Sequence, residues 1–195
     1  MKIYLVRHGQ TMFNAKHRVQ GWCDSPLTEL GVKQAQNVGK HLMDVPFVKA
    51  YCSTSERVVD TATYILNGRD IELIERKDLK EFNFGIFEAD LEKEVFSKRN
   101  HFDGFVDVGG ENVQMVSERM YAAIVDIAKS NPEGNVLVVS HGGAIMNLFH
   151  AIDHPFVEKM RKQGMFIENC SVSIFNYENE QLSIEVFGDC SYRED

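Results

Sequence analysis

Short, continuous apolar runs recur along the chain, separated by longer stretches in which apolar positions are spaced for helices. The runs cover residues 3–6, 47–52 and 136–139, with a less apolar one at 71–74. Continuous runs of this length are typical of strands that are buried on both faces of a parallel sheet. Residues 172–175 and 182–187 instead alternate apolar and polar side chains, which predicts a hairpin that turns at Asn179-Glu180.

The stretches between the runs predict four helices. Thr28 and Ser55 are placed to cap the first two, a third is expected over residues 113–129, and a fourth begins at Gly142. The apolar faces of the first two consist of Gly31, Ala35, Val38 and Leu42, and of Val58, Ala62, Ile65 and Leu66. Strands that alternate with helices predict one α/β domain over residues 1–195, a three-layer sandwich with a mostly parallel central sheet flanked by helices.

Composition and charge limit the classes of function. The chain is 44% hydrophobic and 26% charged, and no apolar run approaches the roughly 20 residues that a bilayer-spanning helix requires. Its start lacks the pattern of a signal peptide, so we expect a cytoplasmic protein. The net charge of −8 argues against nucleic acid or a membrane as partner. A small anionic substrate remains compatible with it, since arginines in a cleft act at short range.

The four cysteines are expected to be free thiols, as in a reducing compartment. They are Cys23, Cys52, Cys170 and Cys190. Their spacing matches no zinc-ligand pattern, so no metal site is expected from them.

The residues that follow three of the apolar runs share one kind of chemistry. Arg7-His8-Gly9 follows the first run, Ser140-His141-Gly142 follows the run at 136–139, and Arg57 lies in the first helical turn after the run at 47–52. Ligands of parallel sheets bind outside the carboxyl ends of the strands, so two histidines and two arginines are expected at one edge. Each residue taken alone is explained as well by a surface or hydrogen-bonded role, but their convergence favours a site.

Such a site suits transfer of a phosphoryl group through a histidine. Neutral imidazole is a good nucleophile, since its unperturbed pKa is about 6.5, and a phosphohistidine divides one difficult displacement into two easier ones. Arg7 and Arg57 would hold the phosphoryl oxygens, and a protonated His141 would add a third cation. Gly9 and Gly142 would let the backbone approach closely. The leaving oxygen needs a proton from a carboxylic acid, which this reasoning does not single out among 29 acidic residues.

Longer motifs surround these residues in a fixed order. They are Arg7-His8-Gly9 with Thr11 and Asn14, Gln20-Gly21, Asp24-Ser25-Pro26-Leu27-Thr28 with Gly31, Ser53-Thr54-Ser55-Glu56-Arg57, Leu79-Lys80-Glu81 with Phe84-Gly85, Gly109-Gly110-Glu111, and Ser140-His141-Gly142-Gly143. The series resembles the histidine phosphatase superfamily, in the branch that contains cofactor-dependent phosphoglycerate mutase. One departure is Phe87-Glu88-Ala89, where many members have Trp-Glu-Gly, so a changed turn is expected beside the pocket.

The resemblance implies a phosphoglycerate mutase-like fold and a role for each matched residue. His8 would accept the phosphoryl group, and Glu81 would act as the general acid and then as the base that activates water. The other catalytic residues would be Arg7, Arg57 and His141, and the substrate-binding residues would be Arg7, Asn14, Gln20, Gly21, Arg57 and Gly142. This chemistry needs no metal, and no cofactor is expected.

Phosphatase and mutase share the phosphohistidine step and differ in what accepts the phosphoryl group. The resemblance implies that true mutases carry a longer, more basic insertion before the second histidine, and the interval from Glu81 to His141 is short by that standard. We therefore expect a phosphomonoester hydrolase that acts on a small phosphorylated metabolite. Mutase-type phosphoryl transfer is the alternative, and an inactive phosphate-ligand binding module is a third.

Residues 89–108 are expected to cover the pocket and to select the substrate. Their apolar side chains either form a wall of the pocket or pack as a small helix on the domain; these are Leu91, Val95, Phe96, Phe102 and Phe105. His17 and Arg18 are either a solvated basic pair or a contact for the phosphoester. The apolar edge near the C-terminal strands would permit a homodimer.

Overall fold

The computed structural model describes residues 1–99 and 104–192. Its strands are β1 (Lys2–Arg7), β2 (Phe47–Ser53), β3 (Leu73–Arg76), β4 (Asn135–Ser140), β5 (Val172–Glu178) and β6 (Gln181–Asp189). Its helices are α1 (Met12–Ala15), α2 (Glu29–His41), α3 (Glu56–Leu66), α4 (Glu92–Lys98), α5 (Val113–Ser130), α6 (Gly142–Ile152) and α7 (His154–Lys162).

Within those ranges, six strands form one sheet in the order β3-β2-β4-β1-β5-β6. The first four in this order pair in parallel, whereas β5 pairs antiparallel with β1 and β6 antiparallel with β5. This arrangement confirms the predicted α/β class with a mostly parallel sheet. The expected hairpin is also present, because Asn179 and Glu180 join β5 to β6, both at positive φ.

Alternate side chains of the central strands pack on opposite faces of the sheet. On β4, Val136 and Val138 share an apolar cluster with α5 and α6, whereas Leu137 and Val139 share one with α2 and α3. All four are fully buried. Because both faces are covered by helices, consecutive positions must be apolar, which explains the continuous run in the sequence. The domain therefore has the three predicted layers.

Strand β3 lies further along the chain than the apolar run at 71–74. Its pairing with β2 begins at Leu73, opposite Ala50. The N–H of Ile71 instead donates to the Arg69 carbonyl at 2.8 Å, which closes a turn before the strand. The apolar pattern marked this edge strand only approximately, because one turn residue is apolar as well.

The helix starts agree with the predictions except in one detail. Thr28 caps α2, accepting from the N–H of Gly31 at 3.0 Å, and α5 and α6 begin at the predicted residues. Ser55 occupies the N-cap position of α3 but makes no side-chain bond to that helix, since its hydroxyl lies near Ser53 Oγ. In the described ranges, no helix has the length and apolar character needed to span a membrane.

Candidate active site

Three strand ends bring the predicted histidines and one arginine together. Strands β1, β2 and β4 run in parallel, so their carboxyl ends lie at one edge of the sheet. His8 follows β1, His141 follows β4 at the N-cap of α6, and Arg57 lies in the first turn of α3. The ring centroids of His8 and His141 are 5.4 Å apart, and Arg57 Nη2 lies 2.8 Å from His141 Nδ1.

His8 is buried and held in one neutral tautomer. Its Nδ1 lies 2.8 Å from the carbonyl oxygen of Gly9, which can only accept, so Nδ1 carries the proton and Nε2 keeps its lone pair. Burial, and then the charges of Arg57 and Arg7, lowers the pKa of His8 well below its usual value. A neutral imidazole with an available lone pair is the form that attacks phosphorus.

His141 is neutral as well, and both of its ring nitrogens have partners within the protein. Nδ1 accepts from Arg57 Nη2, so Nε2 carries the proton and donates to Ser53 Oγ at 2.8 Å. Burial, and then the charge of Arg57, lowers the pKa of His141 well below its usual value. The expectation of a third cation is therefore not met, because a proton on Nδ1 would face the Arg57 guanidinium.

Arg57 is fully buried, and acceptors on several sides fix its guanidinium. Nη1 donates to the Cys23 carbonyl at 2.9 Å and to Asp24 Oδ1 at 2.8 Å, while Nη2 donates to the Gly21 carbonyl at 2.8 Å. The Asp24 carboxylate balances the buried charge. Among the described residues, Arg57 Nε is buried and has no hydrogen-bond partner. Buried donors are normally satisfied, so this atom is a candidate donor to a ligand oxygen.

Arg7 lies against the start of α6. Its Nη1 donates to the Ile167 carbonyl at 2.8 Å. A Cβ on Gly142 would lie 3.1 Å from Arg7 Nε, so the glycine leaves room for the guanidinium. Arg7, His8 and Gly142 all line the same cleft.

Glu81 reaches the same cleft from the loop after β3, and its carboxylate lies at the N-terminus of α6. Oε1 accepts from the N–H groups of Phe82 and Ala144 at 2.8 and 2.7 Å, and Oε2 accepts from that of Gly143 at 2.9 Å. A helix N-terminus stabilises negative charge, because its first N–H groups have no partner in the helix. Glu81 is 7% exposed and is part of the cleft lining.

Asn14 and Gln20 line the cleft and are tied to each other through Thr11. Asn14 Oδ1 accepts from the Thr11 N–H at 3.2 Å, and Thr11 Oγ1 donates to Gln20 Oε1 at 2.6 Å. Asn169 Nδ2 donates to the His8 carbonyl at 3.0 Å and to Asn14 Oδ1 at 3.2 Å. Asn169 was not singled out by the sequence, because its part depends on a contact across 161 residues.

Gly21 lies behind the cleft, where it supports Arg57, and is not part of the cleft lining in the described residues. Its N–H donates to Glu88 Oε2 at 3.0 Å, and a Cβ there would lie 2.2 Å from the Phe82 carbonyl oxygen. Glu88 also accepts from the N–H groups of Trp22, Cys23 and Phe84. Sequence reasoning quoted Glu88 only as part of a motif, whereas the structure shows that it holds the loop that carries three acceptors of Arg57.

The cleft has a volume of about 470 Å³ and a polar floor under apolar walls. The walls include Val19, Phe84, Phe96, Met146, Phe166 and Ile167. Beside them lie Arg18, which donates to the Ala89 carbonyl at 2.7 Å, and Glu92. Arg18 thus reaches the cleft, while His17 lies outside its lining and 3.9 Å from Glu92.

The apolar residues of 89–108 divide between the two roles that the sequence left open. Phe96 lines the cleft, as the wall interpretation expects. Val95 and Phe105 are buried in the apolar cluster that contains α5, as the packing interpretation expects. Leu91 is exposed, and Phe102 lies outside the described residues. Within the described part of the chain, no group of three or more His, Cys, Asp or Glu side chains is arranged to hold a metal ion.

The sequence profile of the histidine phosphatase superfamily (branch 1) matches residues 3–190, and the chain belongs to this family. It is similar to Bacillus stearothermophilus YhfR, with a TM-score of 0.89 and 29% identity over 98% of both chains. A phosphoglycerate mutase from Bacillus anthracis gives a TM-score of 0.84 and 33% identity, over 98% of this chain and 94% of that one. A putative alpha-ribazole-5'-P phosphatase from Escherichia coli gives a TM-score of 0.83 and 26% identity, over 97% of this chain and 96% of that one.

These similarities confirm the predicted phosphoglycerate mutase-like fold and the family resemblance. The family is one of enzymes, and the similar proteins named above include both a mutase and a phosphatase. Membership of the family therefore gives the class of chemistry, and the choice between hydrolysis and transfer has to be argued from the site.

Proposed function

We propose that this protein hydrolyses phosphomonoesters of small metabolites through a phosphohistidine on His8. The observation that carries the proposal is that His8 and the Glu81 carboxyl group line one cleft. His8 is neutral, and its Nε2 keeps a lone pair that can attack phosphorus. Nucleophile and general acid/base are the two groups that a two-step displacement requires.

In the first step, His8 Nε2 forms a bond to phosphorus and the bond from phosphorus to the ester oxygen breaks. Protonated Glu81 gives its proton to that oxygen, so an alcohol leaves. In the second step, the Glu81 carboxylate takes a proton from water, the water oxygen forms a bond to phosphorus, and the bond from phosphorus to His8 Nε2 breaks. Inorganic phosphate leaves, and both residues return to their starting states.

Fixed positive charge at the floor supports both steps. Arg7 lines the cleft beside His8, and Arg57 brings a buried charge and an unsatisfied Nε donor behind it. Charge that is already oriented stabilises the equatorial oxygens of the transferring group without rearrangement. Cys23, in the loop that holds Arg57, does not compete as a nucleophile, because burial and the neighbouring Glu88 raise the pKa of its thiol to about 12.

The walls of the cleft favour hydrolysis over mutase-type transfer. A mutase must hold a bisphosphate, which needs a second set of cations, and must exclude water between its two transfers. Among the residues that the structure describes, the charged lining beyond the floor consists of Arg18 and Glu92, whose charges are opposite. The wall residue Phe166 is 59% exposed, so this part of the wall faces solvent.

Trapping the intermediate tests the proposal. A phosphodonor should give an acid-labile, base-stable phosphoryl adduct on His8 that is absent from His8→Ala. Phosphoglycerate with its bisphosphate primer should yield inorganic phosphate, whereas robust isomerisation would favour the mutase. Failure of every phosphodonor to label an intact His8 would favour a binding module instead.

A cytoplasmic location and a possible homodimer remain predictions of this proposal. The four cysteines are all free thiols, which supports a reducing compartment. Sedimentation of the purified protein measures the oligomeric state directly.

A further inference from the structure

The loop that carries Glu81 has no helix or strand of its own. Residues 80–84 lie between the 3₁₀ turns Lys77–Leu79 and Gly85–Phe87. Backbone groups outside regular structure still need partners, and here side chains supply several of them. The place of the Glu81 carboxylate therefore depends on what holds this loop from outside.

Arg119, in the middle of α5, holds the start of the loop. Its Nη1 donates to the carbonyls of Asp78 and Lys80 at 3.1 and 2.7 Å, and its Nη2 donates to the carbonyl of Glu81 itself at 2.9 Å. A planar guanidinium presents these donors in a fixed fork, so the three carbonyls are held in one arrangement.

Glu111 fixes Arg119 and holds the far end of the loop. Its Oε1 accepts from Arg119 Nε at 2.8 Å, and its Oε2 accepts from Arg119 Nη2 at 2.9 Å. Oε2 also accepts from the N–H of Asn83 at 2.9 Å, and the Glu111 N–H donates to the Asn83 carbonyl at 2.9 Å. The side chains of the ion pair are 19% and 11% exposed, so solvent screens the pair only partly.

We propose that Arg119 and Glu111 are positioning residues for Glu81. They clamp the loop on both sides of the acid, so that its carboxylate stays against Gly143 and Ala144 and within reach of the leaving oxygen. Neither residue is in the cleft lining of the described residues, so their contribution to the acid–base step is made through the position of Glu81. This inference rests on the proposed function, because it assigns the ion pair to the acid–base step.

The dependence of kcat/KM on the leaving group tests the inference, because this constant reports formation of the phosphohistidine. Arg119→Lys keeps the charge and loses the fork. It should lower kcat/KM about 10- to 100-fold for an alkyl phosphate, which needs a proton from Glu81, and less than about threefold for dinitrophenyl phosphate, which does not. Glu111→Gln should also lower the ratio of kcat/KM for the alkyl phosphate to kcat/KM for dinitrophenyl phosphate. An equal loss on both substrates would show that the ion pair serves stability alone.

Arg69→Lys is the matched control. Arg69 also clamps two carbonyls, those of Leu42 and Val45, at 3.1 and 2.5 Å. These lie before β2, at the edge of the sheet opposite the site. Arg69→Lys should leave the ratio of the two kcat/KM values unchanged. A ratio that shifts as it does in Arg119→Lys would contradict the assignment.

A second readout needs no substrate. The amide NMR signals of Gly143 and Ala144 report their bonds to the Glu81 carboxylate. In Arg119→Lys they should move toward their positions in Glu81→Gln, and unmoved signals would overturn the inference. A wild-type protein that hydrolyses no phosphoester would reject the proposed function alone, so the two failures are distinguishable.

Discussion

Gly143 and Glu81 are so close that a Cβ on Gly143 would lie 2.7 Å from Glu81 Oε1. The atom that such a methyl group would meet is the end of a side chain, which yields more easily than backbone. A side chain at position 143 therefore displaces the carboxylate from the N-terminus of α6. The glycine at this position keeps room for the acid.

Gly143→Ala should lower kcat/KM for an alkyl phosphate about 10- to 100-fold, because a displacement of about 1 Å in a reacting group has effects of this size. Alanine is favoured over glycine inside helices by about 1 kcal/mol, so the Tm should not fall. Steady-state kinetics measure kcat/KM, and a thermal melt measures the Tm. Full activity in Gly143→Ala would show that the carboxylate does not need this position.

The two buried histidines make stability depend on pH. Both pKa values are lowered in the folded protein, so below the usual value of 6.5 the unfolded chain binds protons that the native state does not hold. The free energy of unfolding should therefore fall as the pH drops below 6.5, by at most about 1.4 kcal/mol per pH unit for each histidine. Urea unfolding between about pH 7 and pH 5 measures the slope.

His141→Asn isolates one of these two contributions. The variant removes one ring whose pKa is lowered in the folded protein, while His8 and His150 keep theirs, so the slope of stability against pH should decrease without vanishing in this range. An unchanged slope would mean that other groups cause the dependence.

Phe166→Ala should alter substrate preference without altering stability. Phe166 is exposed and lies at the cleft wall, where it can contact the organic part of a phosphoester. We expect KM for phosphoesters with bulky apolar groups to rise about tenfold, while small phosphoesters change little. Met165→Ala is the control, since Met165 is exposed beside it but outside the lining. Equal effects of the two variants would contradict a wall role.

Ala89 stands in a left-handed conformation, with φ of 70°. Glycine adopts this conformation without strain, whereas the alanine here carries a cost in backbone strain. Ala89→Gly should raise the free energy of unfolding by about 0.5–1 kcal/mol, since glycine removes the strain but loses more entropy. Urea unfolding measures the change, and Ala122→Gly in α5 should instead lower stability by about 1 kcal/mol. A loss of stability in Ala89→Gly would contradict the strain.

The sequence predicted the parts of this protein that depend on local patterns. The apolar runs that form β1, β2 and β4 predicted the buried strands, and parallel pairing then placed His8 and His141 at one edge. Arg119 could not be found in this way. Its position on α5 fits the helix like any polar residue, and its partner carbonyls lie about forty residues away. The neutrality of His141 was equally invisible, because it follows from burial against Arg57.

Some wall residues of the cleft lie in parts of the chain that carry none of its reactive groups. His8 and His141 follow strands, Arg57 begins a helix and Glu81 lies in a loop, whereas the wall residues Val19 and Phe166 lie in connecting segments and Phe96 lies in α4. Natural variation can therefore change the segments that contact the organic part of a substrate while the catalytic side chains stay the same. The same separation makes the protein a suitable recipient for grafted loops, since a chimaera would keep the catalytic residues and acquire a new substrate preference.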